Sequence, residues 1–136
     1  MSTRSKARKA ALDFLYESDI RGKSADELLQ KRKNELEYLI RDYTELLVQG
    51  VENKRNRIDE IISMRAKDWD LDRMPVVDRN ILRVGVFELL WGSDLPEEVA
   101  ISESVELAKT LSTEDSATYI NGVLAGIREI KKELSL

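Results

Sequence analysis

The chain has 136 residues, a formal net charge of −4, no Cys and no His. It is long enough to bury a core as one domain over residues 1–136. The missing residue types exclude disulfides, thiolate nucleophiles, Cys/His metal sites and a His-based catalytic triad. An acidic balance gives no general affinity for nucleic acid, so any such affinity must come from a local patch.

No run of about 18 apolar residues occurs to span a membrane, and the N-terminus lacks the apolar stretch of a secretory signal. The expected setting is cytoplasmic. Two Pro and six Gly among abundant Leu, Ala, Glu, Lys and Arg favour helix. Period-two alternation is absent. The predicted class is all-α, a compact bundle of about seven helices.

The first helix carries Ala7, Ala11, Phe14, Leu15 and Ser18 on one stripe, and Gly22 follows it. Ser24 and Glu27 form the S-x-x-E signature of a second helix start, running through Leu28 and Leu29 towards Asn34. A third helix is predicted from the spacing of Leu36, Leu39, Ile40, Tyr43, Leu46, Leu47 and Val51, with Gly50 at a close contact or bend. Ile58, Ile61, Ile62 and Arg65 mark a further piece. The stretch "KDWDLDRMP", Lys67 to Pro75, is a break. Pro75 suits the first turn of the next helix, with Asp72 or Met74 near its cap. From Pro75 to Trp91 apolar residues fall all round, the mark of a helix surrounded by others, and Gly92 ends it. Pro96 opens another helix, with Glu97 and Glu98 favourably placed for its dipole. The joint "STEDS" leads into the last, striped by Ala117, Ile120, Val123, Leu124, Ile127 and Ile130. Asn121-Gly122 ordinarily marks a turn. Here the stripe runs through it without a phase shift, so the helix is predicted to continue.

Asp68, Asp70 and Asp72 alternate like the start of a calcium loop, but Arg73 and Arg79 stand where such a loop needs Gly and Glu. They read as a polar, helix-capping connection. No carboxylate pair is tied to a nucleophile or a phosphate loop, so the chain reads as non-enzymatic and without a cofactor. Between Arg83 and Lys109 there is no Lys or Arg, while Glu88, Asp94, Glu97, Glu98, Glu103 and Glu106 are acidic. This is either a docking face for a basic protein or a solvated face with dipole-friendly first-turn residues.

Arg4, Lys6, Arg8 and Lys9 open the chain with no acidic residue before Asp13. Cations at a helix start oppose its dipole. Either the end is frayed and soluble, or something anionic sits there, and amides with Lys/Arg side chains suit phosphates. Ser112, Thr113 and Ser116 can cap the last helix or hydrogen-bond to sugar and phosphate. Tyr119 is either a boundary aromatic or a ring on which an unpaired base stacks.

Three stretches, "ARKAALDFLYESD" from Ala7, "DRMPVVDRNILRVGVFELLW" from Asp72 and "PEEVAISESVELAKTLSTEDSATYINGVL" from Pro96, together resemble the bacterial transcription antitermination factor NusB family. The resemblance extends over nearly the whole chain and is weakest between about Gly22 and Asp68. It implies an all-helical fold with an N-terminal half packed on a C-terminal one. It implies binding of single-stranded boxA RNA together with the ribosomal protein NusE, within an RNA polymerase antitermination complex that completes ribosomal RNA transcripts. The RNA-contacting positions it implies are Arg4, Lys6, Arg8 and Lys9 at the N-terminus and Asp115, Thr118 and Tyr119 at the start of the last helix. The partner-contacting positions are Asp78 first, then Glu88 and Tyr16. An aromatic contact of some members falls near Ala66, so it is missing or replaced here. Some relatives self-associate, so a homodimer is a further expectation. The alternative is a protein-only helical adaptor with no direct RNA role.

Overall fold

The computed structural model describes residues 2–35, 39–92 and 94–136. Among them are seven α-helices: α1 Thr3–Arg21, α2 Ala25–Lys33, α3 Asp42–Asn53, α4 Arg55–Arg65, α5 Val76–Trp91, α6 Glu97–Leu111 and α7 Glu114–Ile130. Short 3₁₀ turns cover Leu71–Arg73 and Lys131–Glu133, and no strand occurs among the described residues. The all-α prediction therefore holds. The chain divides into two compact units, residues 1–54 and 55–136.

In the first unit α1 packs on α2 and α3, and α2 on α3. The Ser2 side chain caps α1 by accepting from the Ser5 N–H. The predicted stripe is buried, with Leu12 added to it. Gly22 ends the helix at φ 66°, a left-handed conformation that glycine adopts without a Cβ penalty, and its N–H donates to Ser18 O at 2.8 Å. At α2 the Ser24 hydroxyl accepts from the Glu27 N–H, as the S-x-x-E spacing predicts. The return bond is different. The carboxylate that receives from Ser24 Oγ and the Ala25 N–H belongs to Glu52 on α3.

The predicted third helix is shorter at its start than its apolar spacing suggests. It begins at Asp42; Leu39 is 91 % exposed and Ile40 non-helical, while Leu36 lies outside the described residues. Asp42 and Glu45 in the first turn favour the dipole there. The buried stripe is Thr44, Leu47, Val48 and Val51, with Leu46 exposed. A threonine occupies an inward position because its Oγ1 donates to Ala7 O of α1 at 3.0 Å, which satisfies both groups.

In the second unit α5 is the central helix, touched by α4, α6 and α7. Every residue from Asn80 to Leu90 is buried, as the all-round apolar pattern predicts. The polar exceptions are bonded. Arg83 grips Asp59 of α4 through Nε–Oδ1 at 2.9 Å and Nη2–Oδ2 at 3.1 Å, and reaches Asn80 Oδ1 at 3.1 Å. Gly85 is where helices close in. A Cβ there would stand 2.5 Å from Ser104 Oγ of α6 and 3.0 Å from Leu124 Cδ1 of α7. Pro75 and Pro96 sit one residue before α5 and α6 rather than inside the first turn, and their carbonyls accept the first intrahelical bonds. The aspartates of "KDWDLDRMP" do not cap α5; Asp70 precedes the 3₁₀ turn and makes no side-chain cap bond. α7 continues through Asn121 and Gly122 as predicted. Among the described residues no helix is long and apolar enough to cross a membrane.

Candidate nucleic-acid interface

The α1 start has no acidic residue in its first turn. The Arg4 guanidinium lies 4.5 Å from the centre of the Tyr43 ring, and that of Arg8 5.8 Å from the same ring. Both are cation–π separations. Lys6 is exposed. Lys9 is half-exposed and stands 3.5 Å from Asp13, a surface pair of little energetic weight. Arg8 differs from the other three, at only 2 % exposure. Helical phase accounts for it: Arg8 falls beside Ala7 and Ala11 on the inward stripe, with its guanidinium near the Tyr43 ring. Of the four expected RNA-contacting cations, Arg8 is therefore the buried one.

At the start of α7 the predicted hydroxyls are used internally. Thr113 Oγ1 accepts from the Ser116 N–H at 2.9 Å and caps the helix. Ser112 Oγ and Thr113 Oγ1 donate to Ser116 Oγ, which donates in turn to Asp78 Oδ2 at 2.7 Å. Asp115 and Thr118 are exposed, and the Thr118 hydroxyl donates to Glu114 O. The Tyr119 ring is half-buried and packs edge-on against Trp69, with centroids 5.3 Å apart and planes at 78°. Its hydroxyl is buried without a hydrogen-bond partner among the described residues. Burial, and secondarily the Asp68 charge, pushes the phenol pKa up, so the ring stays neutral across the physiological range.

Sequence reasoning missed Trp69 and Tyr43. Ala66 is buried, so no ring stands at that position, but Trp69 supplies one three residues later. The only available signal was a large aromatic inside an otherwise polar connection. Tyr43 was read as one more apolar position of α3, although its ring receives cations from another helix.

Of the three expected partner-contacting residues, Tyr16 is 44 % exposed, whereas Asp78 and Glu88 are each 1 % exposed. Neither carboxylate is presented at the surface, because α5 is enclosed over nearly its whole length and Asp78 is turned to Ser116. Asp94, Glu98 and Glu106 remain exposed. Glu97 pairs with Lys131 at 2.9 Å. No group of acidic side chains able to hold a metal ion occurs among the described residues.

This all-helical fold has close counterparts. The NusB family model matches residues 5–129. The transcription antitermination protein NusB of Thermobifida fusca is 48 % identical over 134 residues, covering 98 % of this chain and 94 % of that protein. The solved structure of T. maritima NusB superposes with a TM-score of 0.83 at 31 % identity, covering 98 % of this chain and 99 % of the other. A NusB chain solved with NusE and double-stranded RNA gives 0.78 at 30 % identity, covering 94 % and 98 %. Sequence and fold agree over nearly the full length, and the chain belongs to the NusB family.

Proposed function

We propose that this protein is a non-enzymatic RNA-binding adaptor of transcription antitermination. It binds boxA-type single-stranded RNA together with NusE and acts within the RNA polymerase complex in the cytoplasm, promoting full-length ribosomal RNA transcripts. The observation that supports this reading most is family membership across residues 5–129, joined to a cationic α1 start that has no acid in its first turn.

Arg4, Lys6 and Lys9 hold phosphates, and Arg8 supports Arg4 from within through their shared Tyr43 ring. Tyr119, braced by Trp69, offers a neutral aromatic surface for an unpaired base. Asp115 and Thr118, exposed beside it, meet donor groups of base or ribose. Tyr16 and Ile20, one helical turn apart and both exposed, form the apolar part of the partner-facing surface. Asp78 and Glu88, each 1 % exposed, contribute to partner binding only through the packing of their own unit.

The test is a titration of three RNAs with and without NusE: a boxA-type single strand, the same sequence as a duplex and a scrambled strand. The reading expects the authentic single strand to bind best, and more tightly when NusE is present. Equal affinity for authentic and scrambled strands in the presence of NusE rejects it in favour of the protein-only adaptor. Preference for the duplex retains the adaptor role and rejects recognition of unpaired bases.

A further inference from the structure

The cavity at the α1 and α3 starts carries an inference that rests on the RNA-binding reading and extends it to residues of α3. Ser2, Thr3, Arg4, Arg41, Asp42 and Tyr43 line an open cavity of about 530 Å³. That is within the size range of small-ligand sites and ample for one nucleotide unit. Arg4 is held over the Tyr43 ring at 4.5 Å. Arg41 is exposed, and its side chain makes no ion pair or hydrogen bond among the described residues. It is the residue preceding α3, a position where most helices place a capping oxygen, and it provides none. Two arginines against the single carboxylate of Asp42 leave the lining net positive. The Thr3 hydroxyl adds a donor for a phosphate oxygen, and the Asp42 carboxylate adds an acceptor for a ribose hydroxyl.

We infer that Arg4 and Arg41 together clamp one phosphodiester of the RNA strand in this cavity, and that Tyr43 is the positioning residue that keeps the Arg4 guanidinium in place. A planar guanidinium stacked on a ring keeps its N–H fork directed and loses little freedom when it meets a phosphate. A flexible lysine in place of Arg4 or a non-aromatic residue in place of Tyr43 lacks that property.

The experiment uses the full chain and the boxA-type single strand, with thermal unfolding measured in parallel. Arg41→Glu, at an exposed site, should unfold like the unaltered chain and bind RNA roughly tenfold more weakly, with a log–log salt slope shallower by about 0.7. Lys31→Glu, an exposed cation of α2 with the same charge change that does not line the cavity, should stay within about twofold of the unaltered chain, since it makes no direct phosphate contact there. Tyr43→Phe keeps the ring and should bind normally, whereas Tyr43→Leu should lose affinity as Arg41→Glu does. The inference is overturned if Arg41→Glu binds normally, if Lys31→Glu loses as much, or if Tyr43→Phe fails alongside Tyr43→Leu. If the unaltered chain does not distinguish authentic from scrambled RNA, the adaptor reading itself fails and this site goes with it. Discrimination by the unaltered chain with no effect at Arg41 removes the site alone.

Discussion

Asp78 holds the start of α7 through one carboxylate oxygen. Ser116 Oγ donates to Oδ2, while Oδ1 is buried without a hydrogen-bond partner among the described residues. Asp78→Ala leaves the Ser116 hydroxyl with no acceptor in a buried setting and should cost about 1–3 kcal/mol of stability in urea unfolding. Asp78→Asn keeps an acceptor of the same shape and should cost clearly less. Equal losses in the two variants would mean that packing, not the hydrogen bond, matters there. The alanine variant should also weaken RNA binding, because Ser116 sits one turn before Tyr119. Asp78 was legible as important from its place in the sequence, but its role was not. A first-turn carboxylate reads as surface chemistry until the partner from another helix is known. Trp69 was hidden for the same reason. Its contact with Tyr119 joins a polar connection to α7, and no spacing within one element encodes it. Arg8 is the converse case: its inward phase could have been read from Ala7 and Ala11, and its charge obscured it.

The helices divide the glycines into those that must be glycine and those that need not be. At Gly85 of α5 an added methyl would collide with Ser104 Oγ and crowd Leu124. Gly85→Ala should therefore cost about 1–3 kcal/mol, and combining it with Ser104→Ala should recover part of the loss. At Gly122 of α7 nothing lies within 4 Å of a built Cβ, so Gly122→Ala should raise stability by about 0.5–1 kcal/mol through helix propensity. Opposite signs from the same substitution test the packing directly; matching signs would contradict it. In the first unit α2 and α3 are joined by polar contacts whose strength depends on pH. Gln30 Nε2 donates to Glu45 Oε2 at 2.8 Å and Lys33 Nζ approaches Oε1 at 3.0 Å. These contacts, the Gln30 bond foremost, hold the Glu45 carboxyl below its usual range although burial opposes them. A folded-state pKa below the unfolded one means the stabilisation is present above the ordinary carboxylate range. It is lost as pH falls through the depressed value. Glu45→Gln should accordingly flatten the acid limb of the unfolding-versus-pH curve, and an unchanged limb would assign that limb to other carboxylates. Helix existence and order were legible from apolar periodicity, including the passage of α7 through Asn121-Gly122. The start of α3 was not, because Leu39 fits a helical spacing that the backbone does not follow.

Charge is divided unevenly along the whole chain. Residues 1–54 carry eleven Lys and Arg against ten Asp and Glu, whereas residues 55–136 carry eleven against sixteen. The first unit is therefore slightly cationic and the second strongly acidic, which a single net charge of −4 conceals. Phosphate affinity then has to come from a few side chains rather than from an overall field. With Arg8 withdrawn into the fold, Arg4, Lys6 and Lys9 remain at the α1 start, and Arg41 adds a fourth cation at the α3 start. Each engaged phosphate of a single strand contributes about −0.7 to the slope of log K against log salt. Because Arg4 and Arg41 share one phosphate, the four cations engage three, which predicts a slope of about −2, and loss of the shared contact predicts about −1.4. The measurement is a series of boxA titrations over a range of monovalent salt, repeated for Arg41→Glu. A slope that moves from the steeper value to the shallower on that substitution counts the phosphates one at a time. A slope near zero in the unaltered chain would transfer the affinity from the cations to stacking on Tyr119, since stacking releases no counterions.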